Sequence, residues 1–349
     1  MNKGFFIPRN IEEKLIEVLV KATREKKLNL GLFLDKYVLW WYDDRENELK
    51  CNLDVQLSLL KKVANKADDI RKLLTSARVR GRKFREEMTK CIKLSISSDY
   101  VPIPLKYKAD ILYRKKIDYM LDILSQEGYH IEYLPDKQSG LTLNWRLAIN
   151  LGAASVYETS LLFHRNYSVP FIPGSAVKGA TRHWAIQKFA EMYQKSKDIS
   201  FESAVKDVEE ALENGEDLGI KADGIKFNEL IEIFGTKNNK GKVIFFDALP
   251  IIEQNKDFIV LDVMNVHYRD YYQDERGVTP PGDWMNPNPV FFLAVERGVK
   301  FRFALASRNE KRNKDLVKKA KRLLEEALGN IGISAKTSAG YGYFEVSTS

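Results

Sequence analysis

Two stretches of this chain set cations, hydroxyls and glycines at spacings that could hold a polyanion. The first is IPGSAVKGATRHW, residues 172–184. Gly174 and Gly179 stand as far apart as the two glycines of a phosphate-binding loop, but that loop needs Lys and then Ser or Thr directly after the second glycine. Here Ala180 and Thr181 follow, and Lys178 sits one place before it. A nucleoside-triphosphate loop is therefore excluded. The stretch reads instead as a helix start. Pro170 and Pro173 bar a helix upstream, and Ser175 is a candidate N-cap. Free N–H groups of the first turn, near Gly174 to Val177, would welcome an anion. Lys178 and Arg182 are four apart, share one face, and could each reach a phosphate of an extended strand. The same residues also suit a plain capped helix with two surface cations.

The second stretch is GISAKTSAGYG, residues 332–342. Gly332, Gly340 and Gly342, with Lys336, Thr337 and Tyr341, lie between a helical and a strand-like segment. Such a loop offers backbone N–H groups, a cation, a hydroxyl and an aromatic face. Those groups hold a ribose-phosphate backbone and stack a base. A flexible connection is the simpler alternative.

Hydrolytic chemistry has weaker support. His164, His183 and His267 could serve as general acid or base in metal-independent RNA cleavage. That reaction also wants a second acid or base and a cation on the oxyanion, and no such set is visible. His183 beside Trp184 reads as packing, whereas His164 in LLFHRNYS could face RNA or a neighbouring subunit. Asp247, Asp262, Asp270 and Asp283 are too spread for a metal template, and Asp247 is expected to end its strand through a local hydrogen bond. Two cysteines, Cys51 and Cys91, make neither a disulfide framework nor a zinc site. The expectation is a protein without catalytic residues, metal or cofactor.

A net charge of +8 favours a polyanionic partner. The excess is concentrated early: residues 1–140 carry 28 Lys+Arg against 21 Asp+Glu, and residues 141–349 carry 28 against 27. No apolar run suits a signal peptide or a membrane span, so a cytoplasmic protein with no membrane partner is expected.

The elements that must position these residues fall into two parts. Residues 1–140 read as mostly helical, with IEEKLIEVLVKATREKK, the long stretch from VQLSLLKK to REEMTK, and DILYRKKIDYMLDILSQ at helical period. Within the second, residues 71–85 hold seven basic side chains and no acid, and Arg78, Arg82 and Arg85 would share a face for RNA or for a neighbouring subunit. From 141 the pattern changes to strands. LTLNWRLAINLG alternates, VIFFDALPII and DFIVLDVMNV read as strands, and PVFFLAV with KFRFALAS reads as a hairpin about ERG. The acidic KDVEEALENGEDLGIKADG is expected in a solvent loop. The class is α+β: a ferredoxin-like (RRM-like) β-α-β-β-α-β core over 141–349, with an insertion at about 194–240 and a helical N-terminal part.

Together, IPGSAVKGATR and GISAKTSAGYG in that order resemble the RAMP superfamily of CRISPR proteins. The segments LNWRLAINLGAASVYETSLLFHRNYSVPF, VIFFDALP, DVMNVHY and DWMNPNPVFFLAV narrow the likeness to the sixth-subunit family of the Cmr complex, the type III-B RNA-guided RNA-targeting effector. The resemblance covers roughly 141–349. It implies that Gly332, Lys336, Thr337, Gly340, Tyr341 and Gly342 contribute to a guide-RNA groove that Lys178 and Arg182 also line. It further implies guide (crRNA) and target RNA and other Cmr subunits as partners. The implied place is near the guide 3′ end, capping the row of backbone subunits, in a role that is not the nuclease. Ser334 departs from the pattern, since many relatives have a glycine there; its side chain is expected to limit close approach of RNA.

Overall fold

KFRFALASR, residues 300–308, is buried without a break from Phe301 to Ser307, and a sheet forms along both of its edges. In the computed structural model, residues 40–43, 48–51, 109–153, 159–165, 167, 169–251, 258–285 and 287–346 are described. In chain order the elements are β1 (Trp40–Asp43), β2 (Glu48–Cys51), α1 (Ala109–Gln126), β3 (Tyr129–Leu134) and β4 (Leu141–Thr142). Then come α2 (Gly174–Lys197), α3 (Phe201–Asn214), β5 (Lys221–Ala222), β6 (Ile225–Lys226) and α4 (Phe227–Phe234). The last are β7 (Val243–Phe245), β8 (Leu249–Ile251), β9 (Ile259–Val266), α5 (Arg269–Gln273), β10 (Asn288–Val295), β11 (Lys300–Arg308) and α6 (Glu310–Asn330). The mixture is α and β with antiparallel sheets.

The chain divides into two units. One comprises Met1–Tyr107, Ile149–Ser168 and Glu253–Glu296; the other comprises Lys108–Ala148, Val169–Ile252 and Arg297–Ser349. Helix α1 and strand β3, which precede residue 141, thus belong with the glycine-rich loop.

In the second unit β11 is the central strand. Leu305 pairs with Glu132 of β3 and with Phe245 of β7, so these neighbours lie on opposite edges. Further along, Phe301 pairs likewise with Leu141 of β4 and Pro250 of β8. Leu143 bridges Phe344, which adds the C-terminal segment outside β4. Phe344 meets Phe301 and Phe303 edge to face, with centroids 6.0 and 5.4 Å away. Helices α2 and α6 pack on each other and on the sheet. Each buries a stripe at helical spacing: Val177, Thr181, Ala185 and Phe189 in α2, and Val317, Ala320, Leu324 and Ala327 in α6. Helix α1 is tied to β11 by Arg302, only 6% exposed, which donates to Asp118 at 2.6 Å and to the Lys137 carbonyl at 2.8 Å.

The other unit contains two ribbons among its described residues. β1 pairs with β2, and β9 pairs with β10 from Ile259↔Val295 to Val266↔Asn288.

Several expectations are overturned. PVFFLAV and KFRFALAS do not form a hairpin. The first, as β10, pairs with β9 in one unit, and the second, as β11, is the centre of the other. Both are apolar enough to sit inside a sheet, and a short connector alone cannot choose a partner. The acidic stretch is not a solvent loop over its first half. Residues 206–214 are in α3, because Ala204, Val208, Ala211 and Leu212 recur at helical spacing and are buried. VIFFDALPII is broken into β7 and β8 about residues 246–248. LTLNWRLAINLG buries Leu141, Leu143, Leu147 and Ile149 as expected, but Trp145 is only half-buried, Arg146 and Ala148 are buried as well, and regular strand holds only at 141–142. The two earliest expected helices and Arg78, Arg82 and Arg85 lie outside the described residues, while the third is α1. Strands β1, β2 and β3 stand in the part expected to be mostly helical, where WWYD and YHIEYL carry aromatic and alternating side chains.

Phe344→Ala removes the ring that pins the C-terminal segment against β11. A loss of about 3–5 kcal/mol is expected, measured by denaturant unfolding.

Candidate nucleic-acid interface

Helix α2 begins at Gly174, with Pro173 in the cap position. Ser175, expected as the N-cap, is exposed in the first turn, and no side-chain cap comes from it. The capping group arrives from afar: Asp247 Oδ1, in the bend between β7 and β8, accepts the Gly174 N–H at 2.7 Å. Asp247 therefore does not act through a local strand-ending bond. A Cβ at Gly174 would collide with the Phe245 carbonyl, so only glycine lets the helix start pass the end of β7. A carboxylate here already complements the helix dipole. The Val177 N–H bonds the Pro173 carbonyl, so neither end of the expected open anion cradle is available.

The two cations on α2 have different surroundings. Arg182 donates to Glu209 of α3 at 2.9 Å and lies 3.5 Å from Glu213, which also pairs with Lys237 at 2.8 Å. Lys178 is half-buried and has no carboxylate within ion-pair distance among the described residues. Burial, and next the Arg182 charge, push its pKa below the usual lysine range. Gly179 is exposed, and a Cβ there would meet open space.

The glycine-rich stretch is a stitched loop. Ser334 Oγ donates to the Ala148 carbonyl at 3.0 Å and accepts the Ala148 N–H at 2.9 Å. The Ala335 N–H also reaches the Ala148 carbonyl, and the Gly342 N–H reaches the Arg146 carbonyl, each at 2.8 Å. Ser334, expected to hold RNA away, thus pairs with backbone as a strand residue would. A Cβ on Gly342 (φ 77°) would strike Ser334, and one on Gly332 (φ 70°) would stand 3.1 Å from the Gly342 carbonyl oxygen. These two glycines serve the loop's own closure. Tyr341 is 8% exposed and offers no open stacking face, contrary to the sequence reading.

What remains accessible is a crest. Lys336 enters it in the left-handed region (φ 66°), Thr337–Ala339 form a 3-10 turn, and exposed Gly340 (φ 88°) leaves it. Arg146, whose carbonyl the loop's Gly342 N–H reaches, lies 5.1 Å from the Trp145 ring centre, and Arg297 lies 5.8 Å from it. The sequence reading passed over these arginines; the one available signal was a cation next to an aromatic in NWR.

The histidines are dispersed. His164 is tilted against Tyr167 at 5.0 Å, and His267 against Tyr268 at 6.3 Å. His183 Nε2 is 3.0 Å from Gln187 Nε2, and His130 Nε2 is 2.9 Å from Glu132 Oε1. Among the described residues, no group of three or more His, Cys, Asp or Glu side chains could hold a metal ion, and no helix is long and apolar enough to cross a membrane.

Ser334→Ala should cost about 1–3 kcal/mol by leaving the Ala148 N–H without its partner, while the Ala335 N–H still holds the Ala148 carbonyl. Hydrogen exchange should report it as faster exchange of the Ala148 amide. Asp247→Ala should cost about 0.5–2 kcal/mol in thermal unfolding, as the loss of a helix cap does.

Comparison with known proteins places this geometry in a family. The RAMP superfamily model matches residues 72–345. CRISPR system Cmr subunit Cmr6 of Pyrococcus furiosus is 33% identical, over 95% of this chain and 98% of that protein. A Cmr6 subunit of Saccharolobus solfataricus is 24% identical over 55% of this chain and 50% of its own length. The crystal structure of Cmr6 from Pyrococcus furiosus is 37% identical, with a TM-score of 0.43, over 63% of this chain and 99% of that one. A cryo-EM structure of a type III-B Cmr-beta complex bound to cognate target RNA contains a chain of like fold. That chain is 19% identical with a TM-score of 0.51, over 96% of this chain and 97% of its own. With a family model spanning most of its length and a relative one-third identical almost from end to end, the chain belongs to the RAMP superfamily and, within it, to the Cmr6 family of CRISPR system subunits.

Proposed function

We propose that the chain is a non-catalytic RNA-binding subunit of a type III-B (Cmr) CRISPR effector in the cytoplasm. In this reading it contacts guide and target RNA near the guide 3′ end and caps the row of backbone subunits. The observation that carries it is the crest at Lys336, Thr337 and Gly340, held on a rigid base by the Ser334–Ala148 clamp. Lys178 adds a cation without a carboxylate partner among the described residues, beside the open surface at Gly179. A glycine inside a helix costs roughly 1 kcal/mol relative to Ala, and close approach of an RNA backbone gives it a reason. Arg182 is already neutralised by Glu209 and Glu213 and contributes less. Contacts of this kind go to phosphate and ribose, so they position RNA without reading its sequence.

We read the second unit as a ferredoxin-like core. The run β3/β4, α2, β7/β8, β11, α6 and the C-terminal segment follows β-α-β-β-α-β, and the edge-to-edge order of its pairings supports that reading.

Charge reversal tests the interface. Lys178→Glu and Lys336→Glu should each weaken binding of a short single-stranded RNA by roughly tenfold, and each should lower the slope of log affinity against log salt by about one phosphate contact. Arg182→Glu should change RNA affinity less and loosen α3 instead. Binding that ignores both salt and the two lysine reversals would sink the interface.

The lowered pKa of Lys178 adds a pH signature. Its contact needs the protonated amine, so that contribution is complete at low pH and is lost as pH rises through its depressed value, below the range of exposed lysines. Lys178→Arg should abolish that phase, because arginine stays charged.

A further inference from the structure

The hairpin connection between β9 and β10 is unlike the rest of the chain. Phe258 to Val295 carries two arginines, Arg269 and Arg276, against five carboxylates, Asp262, Asp270, Asp274, Glu275 and Asp283, a net of −3 within a chain of +8. The base of the ribbon is anchored: Ile259, Val260 and Phe292 to Val295 are buried, and Thr159 Oγ1 donates to the Phe291 carbonyl at 3.0 Å. Beyond the base, large apolar side chains stand in solvent. Tyr272 is 74% exposed, Val278 76% and Trp284 73%.

These side chains are held in place. Asp274 accepts the N–H groups of Arg276 and Val278 at 2.9 Å each and of Thr279 at 2.6 Å, which fixes the turn that presents Val278. A hydrogen bond from the Thr279 side chain first, and then these backbone N–H bonds, hold its carboxyl down to about 2, so the clamp stays ionised at any working pH. The Trp284 indole lies on the backbone of Gly282, where any Cβ would collide with the ring. The Met285 N–H bonds the Gly282 carbonyl at 3.0 Å and closes that second turn. Tyr271 and Tyr272 stack edge to face at 5.3 Å.

Exposed aromatics ordinarily cost solubility, and rigid ones lose little entropy on binding. Trp and Tyr are the residues that anchor protein interfaces. Their acidic setting repels phosphates and suits a basic rim. We propose that the β9–β10 protrusion is a protein-docking element whose Trp284, Tyr272 and Val278 enter an apolar pocket, rimmed by Lys and Arg, on a neighbouring protein subunit. The inference rests on the assembly reading given above. It assigns the protrusion to protein, whereas Lys178 and Lys336 are assigned to RNA.

The test uses the full chain carrying Trp284→p-benzoylphenylalanine, co-expressed with the other Cmr subunits of its own genome and a guide RNA, then irradiated as the purified complex. The expected crosslink is to a protein subunit, at apolar residues flanked by Lys or Arg. The pair Trp284→Ala and Tyr272→Ala should lower retention of the chain in the complex by roughly tenfold, as loss of an anchoring aromatic does. RNA affinity of the isolated chain should be unchanged. A crosslink to guide or target RNA would overturn the proposal and make the indole a wedge between bases. An assembled complex with no crosslink would overturn it as well. If the unaltered chain does not join the complex, the assembly reading falls and takes this inference with it; assembly without a protein contact at Trp284 defeats this inference alone.

Discussion

One serine hydroxyl carries more of the candidate interface than any cation does. Ser334 Oγ both donates to and accepts from the backbone of Ala148, and so completes the pairing that an irregular segment would otherwise leave unmade. A buried peptide group without a partner costs about as much as a lost hydrogen bond. The loop can therefore be glycine-rich and still hold one shape. Beside that clamp Tyr341 is buried, Gly332 stands against the Gly342 backbone, and the accessible part of the loop is the crest at Lys336 to Gly340.

The start of α2 follows a related logic with opposite consequence for anions. The bend that breaks β7 from β8 carries Asp247 to the first amide of the helix, so the protein supplies its own anion there. Further along the helix, α3 brings Glu209 and Glu213 to Arg182, and among the described residues Lys178 has no carboxylate partner. Two cations one turn apart thus differ in what they can offer a phosphate. Burial depresses the lysine's pKa, and an approaching phosphate would reverse part of that shift.

Charge is also distributed between the two units. The ribbon of β9 and β10 is acidic and ends in exposed aromatics, whereas the crest of the glycine loop is cationic and lacks open aromatic faces. A polyanion and a protein surface ask for different chemistry, and in the reading proposed above the crest suits the first and the ribbon the second.

Local pattern was enough for much of this. The helical periods of α2 and α6, the strand character of 243–251, 259–266 and 300–308, and the pair of motifs that marks the RAMP superfamily are legible because each depends on neighbours within a turn or two. The helix hidden in the acidic stretch was legible too, in the spacing of Ala204, Val208, Ala211 and Leu212, but its charge masked it. Tertiary structure alone decided the rest. Whether β10 pairs with β9 or β11, whether Asp247 caps its own strand or a helix 73 residues back, and whether Tyr341 faces solvent or the core are set by segments distant in sequence. Residue type determines what a side chain can do; only its long-range contacts determine which of its possible partners it meets.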